Sequence, residues 1–542
     1  MLFTLHRYIF RELLRVFLLA VVALALILSL GSILQPVQEY GVGPRQVVHL
    51  MAYFLPITLT FVLPMAALFA GALVYGRFAS DNELDVCKAS GISLPTLVFP
   101  GLTLAVMVAA ANLILSFYVM PVFVRLAEKS LKADAKQIVF RNIQRRRYYK
   151  LPPDNRYLIY ADQANLQNNT LLGVIVTEIK NNEIQKITTA EIAKVNFSLN
   201  DRFNEVKIIA YKPSQMGEET EAGAEWGSLT AEFGSLLGDD VKFKKLDEMK
   251  SIQADLMRFY PIEKLARETY AQFIIELLVQ DIKTIIAPPE SSETPPGAAD
   301  DPNSFYELLG MPTSVKFTAG ECSAQDEEVE LSGEVVIIEY DTDSKRLLHT
   351  LRCEKASLHI EGDKLSPTLT MDIQNATEEG SAQIRMRYII RGLIPPAAVE
   401  DVANEFKTEN GTLRIDKFTA ELPQVQSSRN LVDLKNKLHW TIRKTLVELR
   451  SEIHSRLVFG IGCVPMILIG IGLGIIKRGG HLLSAFGASC VPAAVLIVCI
   501  MSGKQMTENL GAQTVSGIAL MWAGLGFLSL LTVVIYGRLL KY

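Results

Sequence analysis

Cysteine is sparse in this chain, with six in 542 residues. That is too few for a disulfide scaffold, and no CxxC or Cys/His spacing of the metal-binding kind occurs. Cys463, Cys490 and Cys499 fall in apolar runs, where they read as small packing residues. Cys322 and Cys353 lie together in polar sequence, as one disulfide in an oxidising compartment or as two free buried thiols. Excess positive charge is missing too: the formal net charge is -4, and no basic run is interleaved with aromatics, which excludes a nucleic-acid footprint. The phosphate-cradling pattern GxxxxGK[ST] is absent throughout. Ser, His and Asp are scattered without a triad, and His454 reads as a helix-end or interfacial contact rather than a general base.

The most informative absence is that of charge over long stretches. No Asp, Glu, Lys or Arg occurs from 16 to 38, 46 to 76, 89 to 124, 457 to 476, 479 to 503 or 509 to 537. A helix of ~20 residues crosses a hydrocarbon core, and one charge at mid-span costs roughly 3 kcal/mol. Six spans follow, three at each end of the chain, which accounts for a mean hydropathy of +0.23 alongside 21% charged residues. The first run is too long for a signal-peptide core and lacks a small-x-small cleavage site, so it is read as retained. Short segments carry nine Lys or Arg on one side (Arg7, Arg11, Arg15, Arg77, Lys88, Lys477, Arg478, Arg538, Lys541) against Arg45 and Lys504 on the other. This puts both termini and the 76–93 loop in the cytoplasm. Arg125, Lys129, Lys132 and Lys136 oppose that count but precede a long translocated region, which the rule excuses. Within the spans, Asn112 is the main strongly polar side chain and reads as interhelical glue. Gly460, Gly462, Gly470, Gly472 and Gly474 suit close helix packing.

Residues 126–456 form one polar insert. Short β-rich runs between turns fill 157–212 and again 315–376. "ADQANLQNNTLLGVIV" from Ala161 resembles "AGECSAQDEEVELSGEVVI" from Ala319, and "TTAEIAKVNFSLNDRFNEVKIIA" resembles "LRCEKASLHIEGDKLSPTLTMDI", which suggests an internal duplication. Between them, 245–287 has helical periodicity, followed by a Pro-rich linker from Ala287. The expected organisation is an N-terminal membrane half over 1–125 with spans near 16–38, 47–75 and 95–124 and a short helix near 80–90. There follow a first β module over 126–213, a helical insert and linker over 214–304 and a second β module over 305–429. A connecting helix over 430–456 leads to a C-terminal membrane half over 457–542, with spans near 457–476, 482–503 and 514–537.

The tail "RYIFRELLR", the second span with "LPMAALFAGALVYGRF", the loop "DNELDVCKASGIS", a third span ending "FYVMPVFVRLAEK", the outer β domain and "SEIHSRL" before a Gly-rich fourth span resemble, in this order, the LptF/LptG (YjgP/YjgQ) permeases of the lipopolysaccharide export transporter. The resemblance implies a polytopic α-helical protein of the bacterial inner membrane with a large periplasmic all-β, jelly-roll-like domain, here duplicated. It implies an ABC-type exporter: a cytoplasmic ATPase dimer hydrolyses the ATP, so this chain needs no cofactor. A second permease, identical or paralogous, pairs with this one, and lipopolysaccharide passes along a trough in the β face to a periplasmic bridge protein.

The resemblance also makes the loop between spans two and three a coupling helix seated in a groove of the ATPase, with Arg77, Asp81, Glu83, Asp85 and Lys88 as its charged residues and Glu83 at the pairing position. Read from the residues alone, Ser80-Asp81-Asn82-Glu83 is equally a capping box, with Gly91 as the helix stop. Basic residues near the outer end of the first span, which the family uses against lipid phosphates, are replaced here by Gln35, Gln38 and Glu39. Arg141, Arg145, Arg146 and Arg147 are the substitute lipid-contact candidates, or simply a solvated face. The insert is about twice the family's usual length, so the second module is expected to replace or supplement a bridge component, and excising 214–420 to impair export. The alternatives in function are a membrane-anchored periplasmic scaffold and a permease for a different lipid or lipoprotein.

Overall fold

The computed structural model describes residues 2–40, 44–133, 135–150, 157–180, 183–199, 204–217, 221–223, 226–233, 240–286, 305–325, 328–362, 364–379, 384–408, 411–420, 428–476, 482–509 and 514–540. The Pro-rich linker and the side chains of Gln35, Gln38 and Glu39 lie outside what is described. The helices are α1 (Leu2–Tyr40), α2 (Pro44–Ser80), α3 (Glu83–Ala89), α4 (Leu94–Ile114), α5 (Met120–Ala133), α6 (Ala135–Arg146), α7 (Leu246–Ala254), α8 (Tyr260–Ile286), α9 (Ala397–Asn404), α10 (Ile415–Ala420), α11 (Arg429–Ile476), α12 (Leu482–Glu508) and α13 (Thr514–Leu539). A π-helical turn, Leu115–Val119, joins α4 to α5. Among the described residues six helical stretches are long and apolar enough to cross a membrane: Phe3–Ser29, Met51–Ser80, Leu94–Ser130, Arg429–Ile476, Cys490–Glu508 and Thr514–Leu539. The chain divides into two compact units, residues 1–251 with 445–542, and residues 252–444.

In the first unit, the helical bundle has distinct ends. Leu5, Ile9 and Leu13 of α1, Tyr75 and Phe78 of α2, Leu84 of α3, and Tyr536 and Leu539 of α13 share one apolar cluster, so α3 and both ends of the bundle's chain gather together. At the other end, Met51, Tyr53 and Phe54 of α2 pack against a cluster built from Val139, Phe140 and Ile143 of α6 and the first β-sheet. From Phe54 to Ser80 a helix rises roughly 39 Å, a full membrane thickness, so the sheet and α3 lie on opposite faces of the bundle.

That sheet comprises β1 (Tyr148–Lys150), β2 (Tyr157–Asn165), β3 (Thr170–Lys180), β4 (Glu183–Leu199), β5 (Asn204–Tyr211), β6 (Ser214–Gly217), β7 (Glu221–Gly223) and β8 (Trp226–Phe233), in the order β1-β2-β3-β4-β5-β8. The β6–β7 hairpin pairs with β4. Sequence reading ends this module at 213. It runs on to Phe233, because β8 pairs with β5 along its whole length. All pairings are antiparallel.

The second unit holds β9 (Tyr306–Leu308), β10 (Thr313–Thr318), β11 (Glu321–Gln325), β12 (Glu328–Asp341), β13 (Leu347–Glu361), β14 (Thr368–Glu378) and β15 (Ile384–Leu393), ordered β15-β14-β13-β12-β10-β9 with β11 on β12. Its core is α8, whose buried positions include Leu265, Tyr270, Phe273, Ile274, Leu278 and Ile282 around its whole circumference. A helix apolar all round must be enclosed, and here Phe406 and Phe418 meet Phe273 edge to face while Tyr306 donates to Asp281 at 2.6 Å.

The two stretches that resemble one another in sequence fold alike: 161–176 and 319–337 each contain a hairpin (β2–β3 and β11–β12), and the second pair gives β4–β5 and β13–β14. Gly173 (φ 61) and Gly333 (φ 89) occupy matching places in "LLGV" and "LSGE", both in a left-handed conformation that admits glycine most readily, and Gly333 lies beside a break in the register of β12 on β13. Cys322 and Cys353 are free thiols. They sit on β11 and β13, on either side of β12 and offset along the strands, and thus more than about 9.6 Å apart, beyond disulfide reach. Burial pushes both thiols up to about 11, so they are neutral at physiological pH.

Close packing of α2 on α11 rests on small residues. A Cβ on Gly474 would meet the Ala72 carbonyl oxygen at 2.7 Å, and one on Gly470 would meet the Leu68 carbonyl oxygen at 3.0 Å. Gly474→Ala should therefore destabilise the bundle by about 1–3 kcal/mol, whereas Gly537→Ala, which has nothing within 4 Å, should be neutral. Thermal unfolding of the two purified variants checks this, and equal melting temperatures would refute the close crossing.

Candidate functional site

Two regions carry the chemistry. The first is α3, seven residues between α2 and α4. Leu84 is its anchor, 2% exposed in the common cluster, with Cys87 and Ile92 against the same core. Glu83 and Val86 point away from it and are exposed, Val86 by 64%. Asp81 is exposed too, while Asp85 and Lys88 are half-buried. The Ser80 capping box does not form: α2 continues through Ser80, the residue before α3 is Asn82 in a left-handed conformation (φ 57), and no side chain caps the helix. Because α2 packs α1 and α11 to its very end, tertiary packing extends it past the residue that local chemistry would make a cap. The Gly91 stop does form. Gly91 (φ 82) donates to the Lys88 carbonyl at 2.9 Å and Ile92 to the Cys87 carbonyl at 3.1 Å, a Schellman closure. Arg77 faces α1, pairing with Glu12 at 3.1 Å and lying over Phe78, so it braces α1 against α2 rather than extending from α3.

Of the arginine candidates, Arg141 is half-buried and donates to Gln137 at 3.3 Å, while Arg145, Arg146 and Arg147 are exposed at the C-terminal end of α6. Cations there complement the helix dipole. Arg147 itself leaves the helix with φ 69, and its carbonyl accepts from the Ala161 amide of β2 at 3.0 Å. The four thus sit where α6 meets the sheet.

The second region is a polar clasp in "SEIHSR", at the sheet end of α11. Arg456 is buried, with its Nε on Glu452 Oε1 at 2.8 Å. Its Nη1 donates to the carbonyls of Ser116 (2.9 Å) and Lys244 (3.2 Å), and Nη2 to the carbonyl of Lys242 (2.6 Å). Ser116 lies in the π-turn, where the widened helix frees a carbonyl, and Lys242 and Lys244 lie in the segment leaving the first sheet. The other Glu452 oxygen takes Lys504 of α12 at 2.5 Å, and His454 Nδ1 accepts from the Trp522 indole of α13 at 3.3 Å. His454 is thus the interfacial contact expected of it. Glu452, Arg456 and Lys504 were not singled out from sequence as site residues. The signal was there, as charges at the margins of two charge-free runs. Asn112 donates to Cys463 at 3.6 Å across α4 and α11, the glue role expected.

Arg456→Met would leave three carbonyls unpaired and Glu452 with Lys504 alone. We expect a loss of about 3–5 kcal/mol, with no rescue by Arg456→Lys because an ammonium lacks the planar fork. Thermal unfolding reads both, and wild-type stability of either would refute the clasp as a structural centre.

No curated protein matches the chain significantly. The family described as lipopolysaccharide export system permease LptF/LptG matches over residues 7–233 and 324–538, most of the chain, including both membrane portions, α3, the clasp and much of both sheets. The chain belongs to the LptF/LptG family of lipopolysaccharide export system permeases.

Proposed function

We propose that this chain is the permease half of an ABC-type exporter that lifts lipopolysaccharide sideways out of the inner membrane, driven through α3 by a separate cytoplasmic ATPase dimer and paired with a second permease. The observation that carries this reading is the placement of α3: anchored by Leu84, showing Glu83 and Val86 outward, at the end of the bundle opposite the first sheet. A docking helix needs that combination of a fixed root and an exposed apolar-acidic face. With the charge count putting α3 in the cytoplasm, the sheet falls in the periplasm.

The conduit for acyl chains is assigned to the first sheet. Leu172, Ile192 and Tyr211 stand in one cross-strand row of β3, β4 and β5 and are 38, 41 and 50% exposed, an apolar strip that a hydrocarbon chain can cover. In the second sheet α8 already occupies the apolar face, which disfavours a trough there. The excision of 214–420 expected to report on the second module would also remove β6 to β8 of the first sheet, so it cannot isolate that module's role.

Glu83→Lys and Val86→Asp should each deplete an ATPase without membrane spans from the affinity-purified chain while leaving its melting temperature unchanged, since both side chains are exposed. Leu84→Asp should lower the melting temperature as well. Mass spectrometry of the co-purifying proteins reads the outcome. Recovery of no ATPase with the well-folded wild-type chain would favour a membrane-anchored scaffold instead.

A further inference from the structure

The geometry points to Lys504 as a releasable anion contact: a phosphorylated lipid headgroup displaces Glu452 from Lys504 and so frees the rim of α12 from α11, above the apolar core that the two helices share. This rests on the proposed function. The three charges of the clasp are not equivalent. Arg456 has a side chain 4% exposed and is held by Glu452 and three carbonyls. Lys504 is 32% exposed, and its one ion pair among the described contacts is with Glu452. If Lys504 leaves, Glu452 keeps Arg456 as counter-ion, so no buried charge is stranded there. Lys504 itself must then find another anion. It directly follows a charge-free run of α12 and therefore sits at headgroup level, where the anion within reach of a membrane helix is a lipid phosphate.

Motion of α12 is also directed. A Cβ on Gly503 or on Gly517 would lie 2.6 Å from the other's carbonyl oxygen, so α12 and α13 are fastened at this level. Among the described residues the hairpin meets the motif on α11 through two polar contacts, Lys504 on Glu452 and Trp522 on His454. The second is an exposed neutral hydrogen bond. Exchanging Glu452 for a phosphate removes the ionic one and lets the rim of the hairpin part from α11 as a headgroup enters.

The test uses the full chain in maltoside detergent. Bisphosphorylated lipid A and its dephosphorylated form are titrated, with binding read by native mass spectrometry. The native chain should bind the phosphorylated form more tightly. Lys504→Met, which leaves the Glu452–Arg456 pair in place, should remove about three- to tenfold of that preference, and Lys504→Arg should keep it. Glu452→Gln should tighten the phosphorylated form by a similar factor, because no counter-ion has to be displaced. A phosphate preference unchanged by Lys504→Met overturns the latch alone. Failure of the native chain to bind either form overturns the latch together with the lipid-export reading. Displacement of lipid A by inorganic phosphate alone overturns the lipid headgroup in favour of a free anion. If Glu452→Gln unfolds, the Lys504 variants decide the matter.

Discussion

A guanidinium cannot be left unpaired inside an apolar bundle, and the placement of Arg456 is the constraint around which the sheet end of this molecule is organised. Moving an ion of that size out of water costs several kcal/mol even after relaxation. The structure offsets this with a carboxylate and three carbonyls arranged around one planar fork. Each partner brings a different part of the chain with it. Ser116 brings the π-turn between the third span and its extension, Lys242 and Lys244 bring the exit of the first sheet, and Glu452 brings Lys504 and the fifth span. One side chain thus fixes where the first sheet leaves the membrane helices.

The other end of the bundle is fixed by a different force. There the common cluster is aliphatic and aromatic, and α2 and α11 approach until backbone meets backbone at Gly470 and Gly474. With no side chain between them these helices have little slack at this crossing. Leu84 of α3 shares its core with Ile471 and Ile475 of α11. Arg456 lies 19 residues earlier on that helix, a rise of about 29 Å. The core that holds Leu84 and the clasp are thus built on one and the same helix, interrupted between them by Pro465, which removes one bond of the helical ladder.

Much of this was legible in the sequence, for physical reasons that differ from element to element. Charge-free runs are reliable because a mid-span charge is so costly, and all six stretches appear as apolar helices. The hairpins were legible from alternation, and the matched glycines at 173 and 333 strengthen the duplication that alternation only suggested. The Ser80 cap was misread because capping rules are local, whereas α2 is prolonged by what it packs against. The charges of the clasp stood at the margins of charge-free runs, but its carbonyl partners were illegible because Ser116 and Lys242 lie 340 and 214 residues from Arg456 and contribute groups that every residue possesses. Glu83 was legible as exposed and acidic, but its outward direction follows only from the burial of Leu84 beside it.

The second module follows from the same accounting of apolar surface. Its helix α8 falls in the stretch between the two segments that match the family, yet the sheet it fills falls largely inside the second segment. An antiparallel sheet with one apolar face must be covered by something, whether a helix, another sheet or a hydrocarbon ligand. Here a 27-residue helix of the same chain supplies that cover permanently, with Thr269, Gln272 and Glu276 buried among its apolar residues. Glu276 is held in place by the amide and hydroxyl of Ser428, just before α11. A carboxylate buried this deeply resists withdrawal of the helix, since extraction would strand Ser428 and expose the sheet together. The cover is therefore a structural element rather than a lid, in contrast to the first sheet, where the row Leu172, Ile192 and Tyr211 is exposed.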